Sequence, residues 1–176
     1  MDWYRTLFEV INMRSFSNLW YWIAIAVTWS TVSHWVLGVP FDMLQRARRQ
    51  GGEADADFET MVRINVNRLE YIRQVSGVWL VVFGSMVLSA LGTLGFAYGV
   101  EFAQAVFLVA FPLSIVAGLS FRAAAQIAER EVAGEALKRR LIRHRVTTQV
   151  VGMIALVTTA FWGMWQNLRL GAFGGF

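Results

Sequence analysis

The chain has 176 residues, of which 56% are hydrophobic and only 16% are charged. Soluble domains usually carry about a quarter charged residues, so this composition argues against a soluble globular protein. Cysteine is absent, which excludes disulfides, thiolate metal sites and cysteine nucleophiles. The formal net charge of +4 resides on basic residues that flank apolar segments. That distribution is typical of membrane proteins, and we expect no nucleic-acid partner.

The first 16 residues have one apolar and one polar helical face. The apolar face carries Trp3, Tyr4, Leu7, Phe8 and Ile11. Residues 1–16 are therefore predicted to be an interfacial amphipathic helix, which either anchors the chain in the membrane or binds a partner. Asp2 stands where a signal peptide would be positively charged, so we expect no cleaved signal peptide.

Four long apolar stretches follow, and a helix needs about 20 such residues to cross about 30 Å of hydrocarbon. The predicted spans one to four cover about residues 17–37, 77–98, 102–120 and 147–165. Span one is expected to stop at Gly38-Val39-Pro40, a helix-ending sequence. The predicted fold class is all-α, an integral membrane four-helix bundle in which residues 17–176 form a single membrane domain.

The distribution of Lys and Arg predicts the orientation of the spans. Segments 41–75 and 121–146 hold thirteen of the 16 basic residues, and the others are Arg5, Arg14 and Arg169. Because cytoplasmic loops are enriched in Lys and Arg, we expect both segments in the cytoplasm. Both termini should then be periplasmic, in the inner membrane of a bacterium.

A long cytoplasmic hairpin is predicted from the residues around spans two and three. Residues 41–57 are predicted to be a loop, because a basic run meets an acidic, glycine-bearing stretch. Helical spacing resumes at Phe58 and predicts one continuous helix from about residue 58 to 98, in which Glu59 pairs with Arg63. The turn at 99–101 makes spans two and three antiparallel neighbours, so their cytoplasmic extensions should pack together.

Small residues recur on three of the spans, where they let helices approach closely in the membrane. The predicted packing positions are Ser85, Ser89, Gly92, Gly95, Gly99, Gly152 and Gly163. They serve either the bundle itself or contacts between protomers. Glu101 and Gln104 stand where the outer turn enters span three, and we expect them to be hydrated. Pro112 deprives the Leu108 carbonyl of its usual donor, which Ser114 is expected to help replace.

Span one carries a polar seam of Ser30, Ser33 and His34. An ionisable residue inside a membrane is a functional-site hypothesis by default. His34 is a candidate proton relay, pore-lining gate or axial ligand of a porphyrin-type pigment. The structural alternative is a neutral imidazole bonded to Ser30 one turn earlier. No metal site is predicted and, that pigment alternative aside, no cofactor.

A basic cluster, Lys138, Arg139, Arg140 and Arg143, precedes span four. Such clusters next to a membrane bind anionic lipid headgroups or an acidic partner surface. His144 is expected to be a solvated headgroup contact in the same segment.

Three stretches resemble an uncharacterised four-helix membrane protein family of photosynthetic and marine alphaproteobacteria, and the resemblance extends over most of the chain. They are MDWYRTLFEVINMRSFSNLWYWIAIAVTWSTVSHWVLGVPFDML, RINVNRL and YGVEFAQAVFLVAFP. Members are often labelled a component of the SufBCD iron–sulfur assembly complex. The resemblance implies a bacterial inner-membrane setting and an iron–sulfur assembly partner. Without cysteine, this chain could not hold a cluster by thiolates.

The leading hypothesis is a non-enzymatic accessory or scaffold subunit that binds a protein partner through its cytoplasmic hairpin. No catalytic carboxylate pair, phosphate-binding loop or nucleophile with its base is recognisable in the sequence. The first alternative is a homo-oligomeric ion or proton channel, in which several protomers line a pore with span one. The second is a pigment-binding or haem-binding subunit that uses His34.

Overall fold

The computed structural model describes residues 15–173, with side chains to residue 169, and this part is about 90% helical. The all-α class is confirmed. Residues 1–14, which carry nearly all of the predicted interfacial helix, lie outside the described part. The helices are α1 (Leu19–His34), α2 (Phe41–Gln50), α3 (Gly52–Gly92), α4 (Glu101–Glu129) and α5 (Gly134–Phe173). A 3-10 turn (Ser15–Ser17) precedes α1, and two strands, β1 (Trp35–Val36) and β2 (Val39–Pro40), follow it.

Helix α1 is shorter than span one was predicted to be. The Asn18 side chain accepts the Trp20 amide at 2.9 Å and caps its start. The helix ends at His34 because Trp35–Val36 pairs in an antiparallel β-hairpin with Val39–Pro40. Leu37 and Gly38, with φ of 52° and 77°, form the two-residue turn that such hairpins favour. With 16 residues, α1 is about 24 Å long, and it begins two residues after and ends three residues before the span predicted at about 17–37.

The predicted loop at 41–57 was wrong, because this segment is largely helical. Helix α2 places Asp42 in its first turn and Arg48 and Arg49 in its last, as the helix dipole favours. It buries Leu44 and Ala47. At Gly51 the chain turns with φ of 63°, and α3 starts at once. Helix α3 therefore begins six residues earlier than predicted.

The predicted continuous helix through span two is confirmed. Helix α3 runs directly into a π-helical segment, Thr93–Ala97, and together they make 46 residues, or about 70 Å. Gly99, with φ of 73°, reverses the chain into α4. Helices α3 and α4 pack against each other, as the predicted hairpin requires.

Helix α4 continues through Pro112, and the chain returns as α5 after a turn at 130–133. The Ser114 hydroxyl donates to the Phe111 carbonyl at 2.6 Å, and not to the Leu108 carbonyl as predicted. Three helices are long and apolar enough to cross a membrane. They are α3 together with its π-helical extension, α4, and α5.

Two apolar clusters hold the helices together. One joins α2, the β-hairpin and parts of α3, α4 and α5, and we call this the α2 end of the molecule. The other lies between α1, α4 and α5 around Ile25, Trp29, Val116 and Ala155. The turn at 98–100 lies at the opposite end, which we call the turn end.

Candidate functional site

The α2 end is a densely packed platform to which four helices contribute. Its core consists of Val36, Leu37, Val39, Leu44, Ala47, Phe58, Val62, Val66, Ala124, Ile127, Leu137 and Leu141. Phe58 is fully enclosed. Burying an aromatic or aliphatic side chain of this size contributes about 1.5–3 kcal/mol. The N-terminal part of α3 is therefore held in place by packing on its inner face.

Two polar contacts tie the start of α5 to this part of α3, and a third lies within α5. Lys138 Nζ donates to Asp55 Oδ2 at 2.8 Å and to Glu135 Oε1 at 3.1 Å. The Gly134 amide donates to Glu59 Oε1 at 2.6 Å. Glu59 thereby caps the start of another helix, where unpaired amides and the helix dipole favour a carboxylate. This contact takes Glu59 away from the predicted pairing with Arg63.

Lys138 does not belong to an exposed basic surface, contrary to the prediction. The residue is 4% exposed, and its hydrogen bond to Asp55 raises the pKa of the ammonium above the usual 10.5. Asp55 Oδ1 is buried and has no partner among the described residues. Arg139 and Arg143 are exposed and Arg140 is half-buried, so these three remain available to headgroups or to a partner.

The outer face of α3 carries an exposed apolar stripe, which we define as Met61, Ile64, Tyr71 and Val75. Ile64 is 57% exposed and Tyr71 is 67% exposed. The stripe continues without interruption through Val78 and Val82, which are also exposed. Successive spacings of three, four and seven residues place all of them on one face of the helix. Because the opposite face of α3 packs on the core, this stripe is left without a partner inside the chain.

The polar seam of α1 points away from the core. Ser30 and His34 are exposed and Ser33 is half-buried. His34 Nε2 lies 3.9 Å from Asp42 Oδ1, and the predicted bond to Ser30 is not formed. The Ser33 carbonyl accepts from Arg145 Nε at 3.2 Å, while the Arg145 guanidinium lies over the Phe41 ring. Pigment ligation by His34 stays a prediction.

A buried glutamine at the turn end was missed by the sequence analysis. Gln104 Nε2 donates to the Gly95 carbonyl in the π segment at 2.7 Å. Its Oε1 accepts from Trp162 Nε1 at 3.0 Å and from Gln166 Nε2 at 2.6 Å. The expectation that Gln104 is hydrated was therefore wrong. The sequence carries one indication of this network, because spans three and four have polar side chains at the same depth.

Glu101 lies beside this network and is half-buried. Its Oε1 accepts the Phe16 amide at 2.9 Å, which fixes the 3-10 turn against α4. Ser17 donates to Asn167 at 2.7 Å. Hydrogen bonds made mainly by side chains of α4 and α5 thus hold the turn end together.

The predicted packing glycines divide into two groups. A Cβ on Gly95 would lie 2.9 Å from the Gln104 amide nitrogen, and one on Gly152 would lie 2.7 Å from the Trp29 ring. Gly92 faces Phe107, and Gly163 faces Phe16. Gly99 instead adopts the positive φ that the turn before α4 requires. Ser85 and Ser89 are exposed.

His144 is half-buried and is not a solvated contact, which corrects the prediction. Its Nε2 lies 3.1 Å from the Ser120 hydroxyl, and that hydroxyl donates to the Val116 carbonyl at 2.8 Å. The Ser120 hydroxyl has one proton, which it donates to Val116. His144 Nε2 therefore carries a hydrogen and donates it to the Ser120 oxygen. Burial lowers the pKa of His144 and favours the neutral imidazole.

Among residues 15–169, no three His, Asp or Glu side chains lie close enough together to hold a metal ion. Comparisons of the chain with protein-family models, with curated proteins and with solved structures find no match. The resemblance to the alphaproteobacterial family, and the iron–sulfur assembly partner that it implies, therefore stay predictions.

Proposed function

We propose that this chain is a multi-pass protein of the bacterial inner membrane and that its helices form a four-helix bundle there. Three long apolar helices support this proposal. So do the exposed apolar side chains along α3, which include Val78, Trp79, Val81 and Phe83. Soluble proteins rarely expose apolar patches larger than a few hundred Å². Helix α1 is the short fourth member, and Trp20 and Trp35 stand near its two ends at headgroup depth.

The orientation follows the basic residues, with the α2 end in the cytoplasm. Because the chain lacks cysteine, Gln50→Cys at the α2 end and Tyr98→Cys at the turn end are each a single label site. An impermeant maleimide should label Tyr98→Cys in spheroplasts and should label Gln50→Cys only after lysis. The reverse pattern would contradict the orientation. Release of the protein by alkaline carbonate would contradict membrane insertion.

The function that we propose is that of a non-enzymatic accessory or scaffold subunit that binds a protein partner. The apolar stripe of α3 carries this proposal, because its first residues, Met61 and Ile64, lie well before the predicted span and yet remain exposed. Its spacing fits a helix that packs side chains into the gaps between Ile64, Tyr71 and Val75. Since the stripe continues into the span, the partner we infer is a membrane protein whose transmembrane helix extends into the cytoplasm.

A second copy of this chain is a poorer fit to the stripe. Arg68 stands beside Ile64 and Tyr71 on the same side of α3 and is exposed. Two parallel copies packed along the stripe would bring their Arg68 guanidinium groups towards each other, and like charges across such a seam are unfavourable. A partner helix with an acidic or neutral residue at that level avoids this repulsion.

Native mass spectrometry after gentle detergent extraction tests this function. A second protein at fixed stoichiometry with the chain supports the accessory function. Lysine substitutions in the stripe must then abolish the binding of that protein. A ring that contains this chain alone would contradict it.

A homo-oligomeric channel is the second candidate function, and one observation favours it. Ser30 and His34 face away from the chain's own core, as side chains that line a pore between protomers must. The channel predicts a closed ring in native mass spectrometry. It also predicts a proton or ion flux into liposomes that His34→Leu reduces.

A further inference from the structure

A crevice opens at the α2 end between α1, the β-hairpin, α3, α4 and α5. Its volume is about 410 Å³, which is within the range of pockets that hold small ligands. Its apolar lining includes Trp35, Leu69, Ile72 and Val116. Its polar lining consists of Thr31, Asn65, Arg68, Ser120, His144 and Thr148. The crevice therefore combines apolar side chains with one charged side chain.

Three polar side chains of the crevice already have partners within the chain. The Ser120 hydroxyl and His144 Nε2 bond each other, and Ser120 also bonds the Val116 carbonyl. Asn65 Nδ2 donates to the Met61 carbonyl at 2.9 Å. Arg68 differs, since it forms no ion pair or hydrogen bond with any described side chain. It is also the one residue with a fixed charge among the described residues that line the crevice.

We propose that this crevice binds one anionic phospholipid of the cytoplasmic leaflet. The lipid phosphate pairs with the Arg68 guanidinium, whose planar set of donors matches phosphate oxygens. The adjoining acyl chain lies along Ile72 and Val116. Basic pockets between transmembrane helices on the cytoplasmic side are suited to such headgroups.

A lipid fits this crevice better than free phosphate does. A single guanidinium beside apolar side chains offers a soluble anion few hydrogen-bond donors. A lipid also gains from burying its acyl chain against those apolar side chains. Trp35, which also lines the crevice, is 49% exposed and stands at the headgroup depth that tryptophan prefers. The inference rests on the proposed membrane insertion but not on the partner or on the apolar stripe.

The test uses the full chain, delipidated in detergent and titrated with phosphatidylglycerol in native mass spectrometry. Arg68→Gln removes the guanidinium, and Arg63→Gln on the same helix is the matched control, because Arg63 is exposed and lies outside the crevice. Thr31 on α1 also lines the crevice, so Thr31→Trp fills part of it without changing the charge. Phosphatidylcholine and excess inorganic phosphate serve as the comparison lipid and the competitor.

We expect Arg68→Gln to weaken the first phosphatidylglycerol site about fivefold, as loss of one basic residue near anionic lipid predicts. Arg63→Gln should bind as the unaltered chain does, and Thr31→Trp should also bind less. Phosphatidylcholine should bind more weakly, and inorganic phosphate should not displace the lipid. Equal losses for Arg68→Gln and Arg63→Gln would overturn the site, as would unchanged binding by Arg68→Gln or by Thr31→Trp. A chain that stays soluble without detergent would instead refute membrane insertion itself.

Discussion

Lys138 donates a hydrogen bond of 2.8 Å to Asp55, a residue 83 positions earlier in the chain. This contact joins the first turn of α5 to the first turn of α3, at the end of the molecule farthest from the turn at 98–100. Together with the cap that Glu59 provides for Gly134, it fixes where α5 begins. The position of the long return helix therefore depends on charged residues as well as on apolar packing.

We predict that Lys138→Met destabilises the protein by about 2 kcal/mol. The substitution leaves the Asp55 carboxylate without its ammonium, and removing one member of a buried pair costs up to about 3–5 kcal/mol. The cost is smaller here because the Asp55 side chain is 31% exposed. The melting temperature in detergent should fall by about 4–8 °C. Arg139→Met, at the exposed neighbouring position, should change it little, and equal melting of both variants would refute the role of this pair.

Gln104 should matter as much at the turn end. Gln104→Leu leaves the Gly95 carbonyl, Trp162 Nε1 and Gln166 Nε2 without their partner, and each unpaired buried group costs about 1–3 kcal/mol. We expect a loss of several kcal/mol in thermal or denaturant unfolding in detergent. Gln149→Leu is the matched control, because Gln149 is exposed on α5. Equal stability of the two variants would show that the hydrogen bonds of Gln104 are not needed.

The close approach of α1 to α5 is predicted to require glycine at position 152. In Gly152→Ala the new methyl group would lie 2.7 Å from Trp29 Cε3, so the indole or the helix must shift. Overpacking of this kind costs about 1–3 kcal/mol. Gly118→Ala, where nothing lies within 4 Å, should be neutral or stabilising by up to about 1 kcal/mol. Melting curves of the two variants measure the difference, and a neutral Gly152→Ala would contradict this packing.

Mild acid should destabilise the protein through His144. Its folded-state pKa is lowered by burial, so the unfolded chain takes up the proton first as the pH falls. Stability is therefore complete above the unfolded pKa of about 6.5 and declines as the pH falls from there through the lower folded pKa. The melting temperature should fall between pH 7.5 and 5.5, and His144→Gln should flatten this dependence. His34→Gln, at the other histidine of the chain, should retain the dependence, and a flat profile for the unaltered chain would refute the prediction.

The sequence predicted the long elements well, because they depend on local periodicity. The continuous helix through span two, the turn at Gly99 and the antiparallel α3–α4 pair all follow from apolar spacing and one glycine. Helix α2 was missed because charged and glycine residues were interpreted as a loop. What makes it helical is Leu44 and Ala47 packing against a core that other helices supply, and a local pattern does not contain that information.

The candidate site was predicted less well, because its decisive contacts join residues far apart in the chain. Lys138 belongs to a basic run in the sequence, but Asp55 holds it inside the fold. Glu59 has Arg63 at ion-pair spacing, but the amide of Gly134 is its partner. The apolar stripe of α3 has the same spacing as the core face, and only the packing of α4 and α5 distinguishes the buried face from the exposed one.

The most direct test of the partner-binding function is to place lysines in the apolar stripe and to determine the composition of the complex by native mass spectrometry. We would extract the unaltered chain and the double variant Ile64→Lys with Tyr71→Lys from the native membrane under identical conditions. Ala136→Lys, at an exposed position of α5, controls for added charge. The account predicts one partner protein at fixed stoichiometry with the unaltered chain and with Ala136→Lys, and its loss from the double variant without a change in melting temperature. A partner retained by the double variant, or no partner with the unaltered chain, would contradict the account.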